Sequence, residues 1–100
     1  MAQWREVCRE ESFRKATSFT HRRKEIALFK LDDGVHAIAN SCSHEYSPLC
    51  EGMVVGTHVY CPKHGSRFDI TTGAVLDLPA TSPVKTYPVK VEDGVVYVKV

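Results

Sequence analysis

Cys42-Ser43-His44 and, after sixteen intervening residues, Cys61-Pro62-Lys63-His64-Gly65 decide how this chain is read. Each segment offers one thiolate and one imidazole, and each is short enough to be a single loop. Two thiolates and two neutral imidazoles suit a tetrahedral zinc. They equally suit a mixed-ligand [2Fe–2S] cluster, with two Cys on one iron and two His on the other. Zinc sites usually pair like with like, as Cys-x2–4-Cys and His-x3–5-His, so a Cys and a His in each loop favours iron. Pro62 fixes φ directly after Cys61, and Gly65 lets the chain turn close to a bound group without a Cβ in the way. Ser41, Ser43 and Ser66 are small donors suited to hydrogen bonding cluster sulfurs.

Outward from these loops the pattern is strand and turn. Glu25 to Leu31 is apolar and β-suited, Asp32-Asp33-Gly34 turns, and Val35 to Ala39 continues, a hairpin with Gly at a positive-φ position. The C-terminal part repeats the device: Val84 to Val91, a Glu92-Asp93-Gly94 turn, then Val95 to Val100 with Val96, Val98 and Val100 on one face. Thr57 to Tyr60 leads into the second loop, and Arg67 to Ile70 leads out of it to a Thr71-Thr72-Gly73 turn. In residues 3–15, Trp4, Val7 and Cys8 fit a strand and Glu10 to Arg14 one helical turn. Many short strands with frequent turns predict an all-β fold, an antiparallel sandwich or small barrel.

One hundred residues make one domain, 1–100, with the ligand-bearing part at about 40–80. A formal charge of +1 gives no electrostatic case for nucleic acid or membrane surfaces. No apolar run approaches the roughly 18 residues that span a bilayer. Met1-Ala2-Gln3-Trp4-Arg5-Glu6 lacks the basic and apolar segments of a secretory signal, so the expected location is cytoplasmic. In that reducing compartment the four cysteines are expected as ligands and thiols rather than disulfides. Cys8 and Cys50 read as small buried or half-buried thiols, and His21, His36 and His58 lack ligand spacing. His21-Arg22-Arg23-Lys24 reads as a solvated hairpin turn, with a docking patch for a reductase as the lesser reading.

The run Cys42-Ser-His44 with Cys61-Pro-Lys-His64-Gly65-Ser66-Arg67-Phe68-Asp69 resembles the Rieske signature. Thr72-Gly73, Pro83-Val84-Lys85-Thr86-Tyr87-Pro88-Val89, Trp4 and the Asp93-Gly94 hairpin extend the likeness over nearly the whole chain. They point to the small Rieske ferredoxins of bacterial aromatic-ring dioxygenase systems. The resemblance implies three stacked antiparallel sheets with the cluster at one tip, under a proline-bearing cover, here Leu78-Pro79-Ala80. It implies one Rieske [2Fe–2S] cluster on Cys42, His44, Cys61 and His64, flanked by Pro62, Gly65, Ser66 and Pro79.

Respiratory-chain Rieske proteins differ informatively. They carry a further Cys in each loop, joined as a disulfide, where this chain has Ser47 and Lys63, and a Tyr where it has Phe68. Both losses point to the lower part of the Rieske range of about −150 to +300 mV. The oxidised His-ligated site is neutral and the reduced site singly negative, so the chain's formal +1 falls by one on reduction. Docking is therefore expected through local contacts at a tip of His44, Glu45, Tyr46, Pro48, Lys63, His64 and Pro79.

The resemblance implies an electron carrier and not an enzyme. It would be a monomer that takes one electron from an NAD(P)H-dependent flavoprotein ferredoxin reductase. It would pass that electron to a terminal oxygenase with its own Rieske cluster and mononuclear iron, with no nucleic-acid or membrane partner. The alternatives are a small Rieske subunit of an assimilatory nitrite reductase and a structural zinc-binding interaction module.

Overall fold

The computed structural model describes residues 2–42, 47–63 and 65–100. Ten strands run in chain order: β1 (Trp4–Arg9), β2 (Ala16–His21), β3 (Lys24–Leu31), β4 (Gly34–Ala39), β5 (Val54–Val55), β6 (His58–Tyr60), β7 (Arg67–Asp69), β8 (Thr86–Tyr87), β9 (Val89–Glu92) and β10 (Val95–Lys99). Single 3-10 turns at Glu10–Ser12 and Leu49–Glu51 are the only helical pieces among the described residues. The strands form three antiparallel sheets, ordered β1-β10-β9, β2-β3-β4-β8 and β5-β6-β7.

Burial along β3 shows how the sheets stack. Ile26, Ala27, Leu28 and Phe29 are all buried, although successive side chains point to opposite faces. Ile26 and Leu28 join Val35, Ala37, Val96 and Val98 in one core, against the β1-β10-β9 sheet. Ala27 and Phe29 join Ile38, Leu49, Val59, Phe68 and Ile70 in a second core, against the β5-β6-β7 sheet. The four-stranded sheet is therefore the middle layer, covered on both faces. Each Leu, Ile or Phe so buried contributes about 1.5–3 kcal/mol.

The turns follow their residues. Asp93-Gly94 closes β9 onto β10 with both residues at positive φ, the two-residue geometry that matches strand twist. Arg22-Arg23 closes β2 onto β3 in the same way, at φ 48° and 70°. The basic run is thus a hairpin turn, but an unusual one, since neither residue is Gly, Asn or Asp. The expected strand over 84–91 is interrupted at Pro88, which has no N–H for a ladder. Before Pro88, β8 pairs with β4; after it, β9 pairs with β10. The chain changes sheet there, and Pro88 still accepts a bond from the Lys99 N–H at 3.0 Å. β2 and β5 were not foreseen: β5 is two residues long, and β2 precedes a turn without the usual glycine.

Residues 41–85 leave the middle sheet at the end of β4 and return to it at β8, which pairs Ala37 with Tyr87 and Ile38 with Thr86. This excursion carries both Cys-His segments.

Candidate metal centre

The second segment is the tip of the β6–β7 hairpin. Beyond the Tyr60–Arg67 pair, Cys61 N–H donates to Ser66 O at 2.8 Å, and Gly65 N–H donates back to Cys61 O at 2.9 Å. Gly65 stands at φ +77°, and among the described residues beyond its chain neighbours nothing lies within 4 Å of where a Cβ would be. The first segment is closed in a related way. Ser41 bridges Pro48, and Cys42 N–H donates to Ser47 O at 3.2 Å. Each Cys therefore ends one arm of a chain reversal.

Cys42 and Cys61 are 4% and 2% exposed and belong to one apolar cluster with Leu49, Phe68 and Ala80. None of the four cysteines is in a disulfide. His44 and His64 lie outside the described residues, as do Ser43, Glu45 and Tyr46. Among the described residues the structure brings together two of the four expected ligands. Cys8 packs against the other core, and Cys50 packs at the edge of the Cys42–Cys61 cluster in the turn after the first segment.

Two polar groups hold this region that the loop pattern alone did not identify. Asn40, buried at the end of β4, donates its N–H to Glu25 O and accepts Leu49 N–H on its carbonyl. Its Oδ1 accepts Cys50 N–H at 2.8 Å. It ties the returning limb of the first segment to β3. Asp77 receives Arg67 as a fork, Nε to Oδ2 at 2.6 Å and Nη2 to Oδ1 at 3.1 Å, and also accepts Arg67 N–H. That hydrogen bonding is the main reason the Asp77 carboxyl is held below the usual carboxylate value, and it raises Arg67 in turn.

The fork straps residues 75–80 along β7, and the buried Ser66 hydroxyl completes the attachment by accepting Ala80 N–H at 3.2 Å. The cover expected at Leu78-Pro79-Ala80 thus meets the second segment at Ser66. Leu78 is 77% exposed at its crest. Gly73 sets the base of this excursion, where its N–H donates to Asp69 O and its carbonyl accepts Val84 N–H. A Cβ there would meet Val84 O at 2.1 Å, so only glycine fits.

These residues fit a [2Fe–2S] cluster: two buried thiol side chains at neighbouring loop ends, a glycine turn at positive φ, and a buried hydroxyl, which can donate a proton as well as accept the Ala80 N–H. The model of the Rieske [2Fe-2S] domain matches residues 3–88. A naphthalene 1,2-dioxygenase/salicylate 5-hydroxylase ferredoxin component from Ralstonia sp is 41% identical over 76% of this chain and 73% of its own. The Sphingomonas yanoikuyae B1 ferredoxin superposes with a TM-score of 0.88 at 33% identity, covering 98% of this chain and 99% of that one. A chain from the complex of reduced oxygenase and oxidized ferredoxin in carbazole 1,9a-dioxygenase superposes at 0.87 with 28% identity, covering 93% and 98%. A nitrite reductase small subunit from Mycobacterium tuberculosis, described as putative, shares the fold at 0.86 and 25% identity over 100% of this chain and 96% of its own. Fold and site thus define a Rieske-type iron–sulfur protein. The chain belongs to the Rieske [2Fe–2S] family and, within it, groups with the ferredoxin components of aromatic dioxygenase systems, which are electron carriers and not catalytic oxygenases. Its cofactor is one Rieske [2Fe–2S] cluster.

Proposed function

We infer that Cys42 and Cys61 hold one iron of the cluster and His44 and His64 the other, with Pro62, Gly65, Ser66 and Pro79 forming its immediate surround. The observation that carries this reading is the meeting of Cys42 and Cys61, both buried, at the ends of two chain reversals. The cluster supplies one-electron redox chemistry; the chain supplies the enclosure. Cys42 and Cys61 sit where Leu49, Phe68 and Ala80 exclude water, which strengthens electrostatic interactions there. Ser66 holds the cover by its oxygen and keeps a proton to offer a sulfur.

In this reading residues 1–100 act as one monomeric, cytoplasmic domain. It accepts one electron from an NAD(P)H-dependent flavoprotein reductase and delivers it to a terminal ring-hydroxylating oxygenase bearing its own Rieske cluster and mononuclear iron. The relatives named as ferredoxin components of such systems support this over the nitrite reductase subunit. A reconstituted assay tests it, with NADH or NADPH, a flavoprotein reductase and a ring-hydroxylating oxygenase. Oxygenase turnover should depend on this protein and be lost in Cys61→Ser. Turnover independent of it, or co-purification with a sirohaem protein, would refute the assignment.

A further inference from the structure

The near-zero net charge hides an uneven distribution. A groove of about 310 Å³ lies between the β1-β10-β9 sheet and the middle sheet, lined by Arg5, His21, Arg22, Lys24, Lys85 and Tyr87, with Ala2 and Val100. Its cations come from three separate parts of the chain, Arg5, the run from His21 to Lys24, and Lys85, and no Asp or Glu side chain lines it among the described residues. Arg22, Lys24 and Lys85 are exposed, as is neighbouring Arg23. Arg5 Nε is buried with no hydrogen-bond partner among the described residues. Burial first, then the charges of Arg5, Arg22 and Lys24, hold His21 below its ordinary value, so the ring adds no charge that the others would resist. Folding has gathered like charges into a groove that no acidic side chain lines among the described residues, an arrangement whose self-repulsion an anionic partner would relieve.

Its position gives the groove a use. Lys24 begins β3 beside the end of β4: Asn40 N–H donates to Glu25 O, and Ala39 N–H donates to Lys85 O at 2.8 Å. Cys42 follows Ala39 by three residues, about 10 Å of extended chain. The acidic turn Asp32-Asp33 lies at the far end of β3. The basic charges therefore flank the end of the middle sheet from which the first ligand segment emerges, within reach of a partner docked at the tip.

We propose that this groove is an electrostatic docking surface for a redox-protein partner that presents a carboxylate-rich patch beside its own electron-transfer centre. The proposal rests on the electron-carrier reading and adds to it the sign and place of the recognition charge. Exposed lysines and arginines spread over several elements suit a wide acidic protein surface better than one small anion. Charges at such a rim act mainly on association rate and salt dependence.

The test uses the reduced holoprotein in stopped flow, oxidised by anionic ferricyanide or by cationic hexaammineruthenium(III) at several ionic strengths. The double variant Lys24→Glu/Lys85→Glu is compared with Arg14→Glu/Lys15→Glu, which makes the same charge change at exposed residues away from the groove. The groove variant should slow ferricyanide roughly tenfold at low salt and accelerate the cation, with the effect vanishing at high salt. The control variant should leave the ratio of the two rates near that of the parent. Equal effects from both doubles, or from neither, overturn the proposal. So does loss of the ferricyanide preference on adding millimolar inorganic phosphate at constant ionic strength, since that assigns the groove to a small anion. The reduced EPR spectrum of each variant is recorded alongside. A missing cluster signal in the parent would defeat the carrier reading itself, a failure separate from a change in rate ratio.

Discussion

Ser66→Ala tests whether one hydroxyl anchors the cover over the candidate centre. Ser66 is fully buried, and its oxygen accepts the N–H of Ala80, itself 2% exposed. Alanine removes the acceptor and leaves that N–H buried with no replacement from solvent. An unsatisfied buried donor costs about 1–3 kcal/mol. At a factor of ten per 1.4 kcal/mol, local opening at Ala80 should become about 5- to 150-fold more frequent. Hydrogen exchange of the Ala80 amide in the holoprotein reads this directly. If the whole loss reaches global stability, Tm falls by about 4–8 °C per kcal/mol in a domain of this size. The reduction potential should fall as well, because the hydroxyl's own proton is no longer available to a cluster sulfur. Ala80 exchange within twofold of the parent would refute the anchoring role, whatever the potential did. A lowered potential with unchanged exchange would mean that the hydroxyl serves the cluster alone.

Other consequences follow from the same contacts. Asn40→Ala strips the Cys50 N–H of its acceptor and should cost about 1–3 kcal/mol in urea unfolding together with lower iron retention, whereas Asn40→Asp keeps an oxygen there and should retain more of both. Gly73→Ala places a Cβ against Val84 O at positive φ, so it should lose about 1–2 kcal/mol from backbone strain alone and more from the contact, read as a lower urea midpoint. Asp77 has a carboxyl pKa lower in the folded chain than in the unfolded one, so the unfolded state binds more protons in the acid range. Its contribution is present above the ordinary Asp value and is lost as pH falls through the depressed one. Asp77→Asn should therefore flatten part of the stability loss below about pH 4 in acid titrations, while a slope unchanged from the parent would deny the Arg67 fork any role.

Much of the fold is legible where a strong turn flanks an apolar run. Asp93-Gly94 and Asp32-Asp33-Gly34 mark two hairpins, and alternation puts Val96 and Val98 in the core as read from the residues. His21-Arg22-Arg23-Lys24 is legible as a hairpin turn from its charge, but with no glycine in it and only a half-buried Ala16–His21 before it, the bounds of β2 are not. Pro88 could have warned that 84–91 is not one strand, since its missing N–H suits a change of sheet better than a ladder. The Ile26–Phe29 run was the sign of a middle layer, because buried residues on both faces need a sheet on each side.

At the site, Cys42, Cys61, Gly65 and Ser66 carry chemistry visible in residue type and spacing. Asn40 and Asp77 do not. They act through bonds to Cys50 N–H and Arg67 that only the tertiary structure creates. An Asn at the end of a strand just before a ligand loop was a usable hint. Nothing local to Asp77 points to Arg67, ten residues earlier. The basic groove is legible only in part: the His21-Arg22-Arg23-Lys24 run stands out, with docking as its lesser reading, but Arg5 and Lys85 join it only in the tertiary structure and a net charge of +1 averages them away.

The central claim is that two cysteines and two histidines, Cys42, Cys61, His44 and His64, hold the cluster. It is tested most directly by low-temperature pulsed EPR of the dithionite-reduced protein grown with 15N-histidine. The account predicts a rhombic signal with low average g and two distinct histidine nitrogen couplings, with His44→Cys or His64→Cys removing one coupling each wherever a cluster still assembles. A reduced signal without histidine nitrogen coupling, or one unaltered by either substitution, would contradict it.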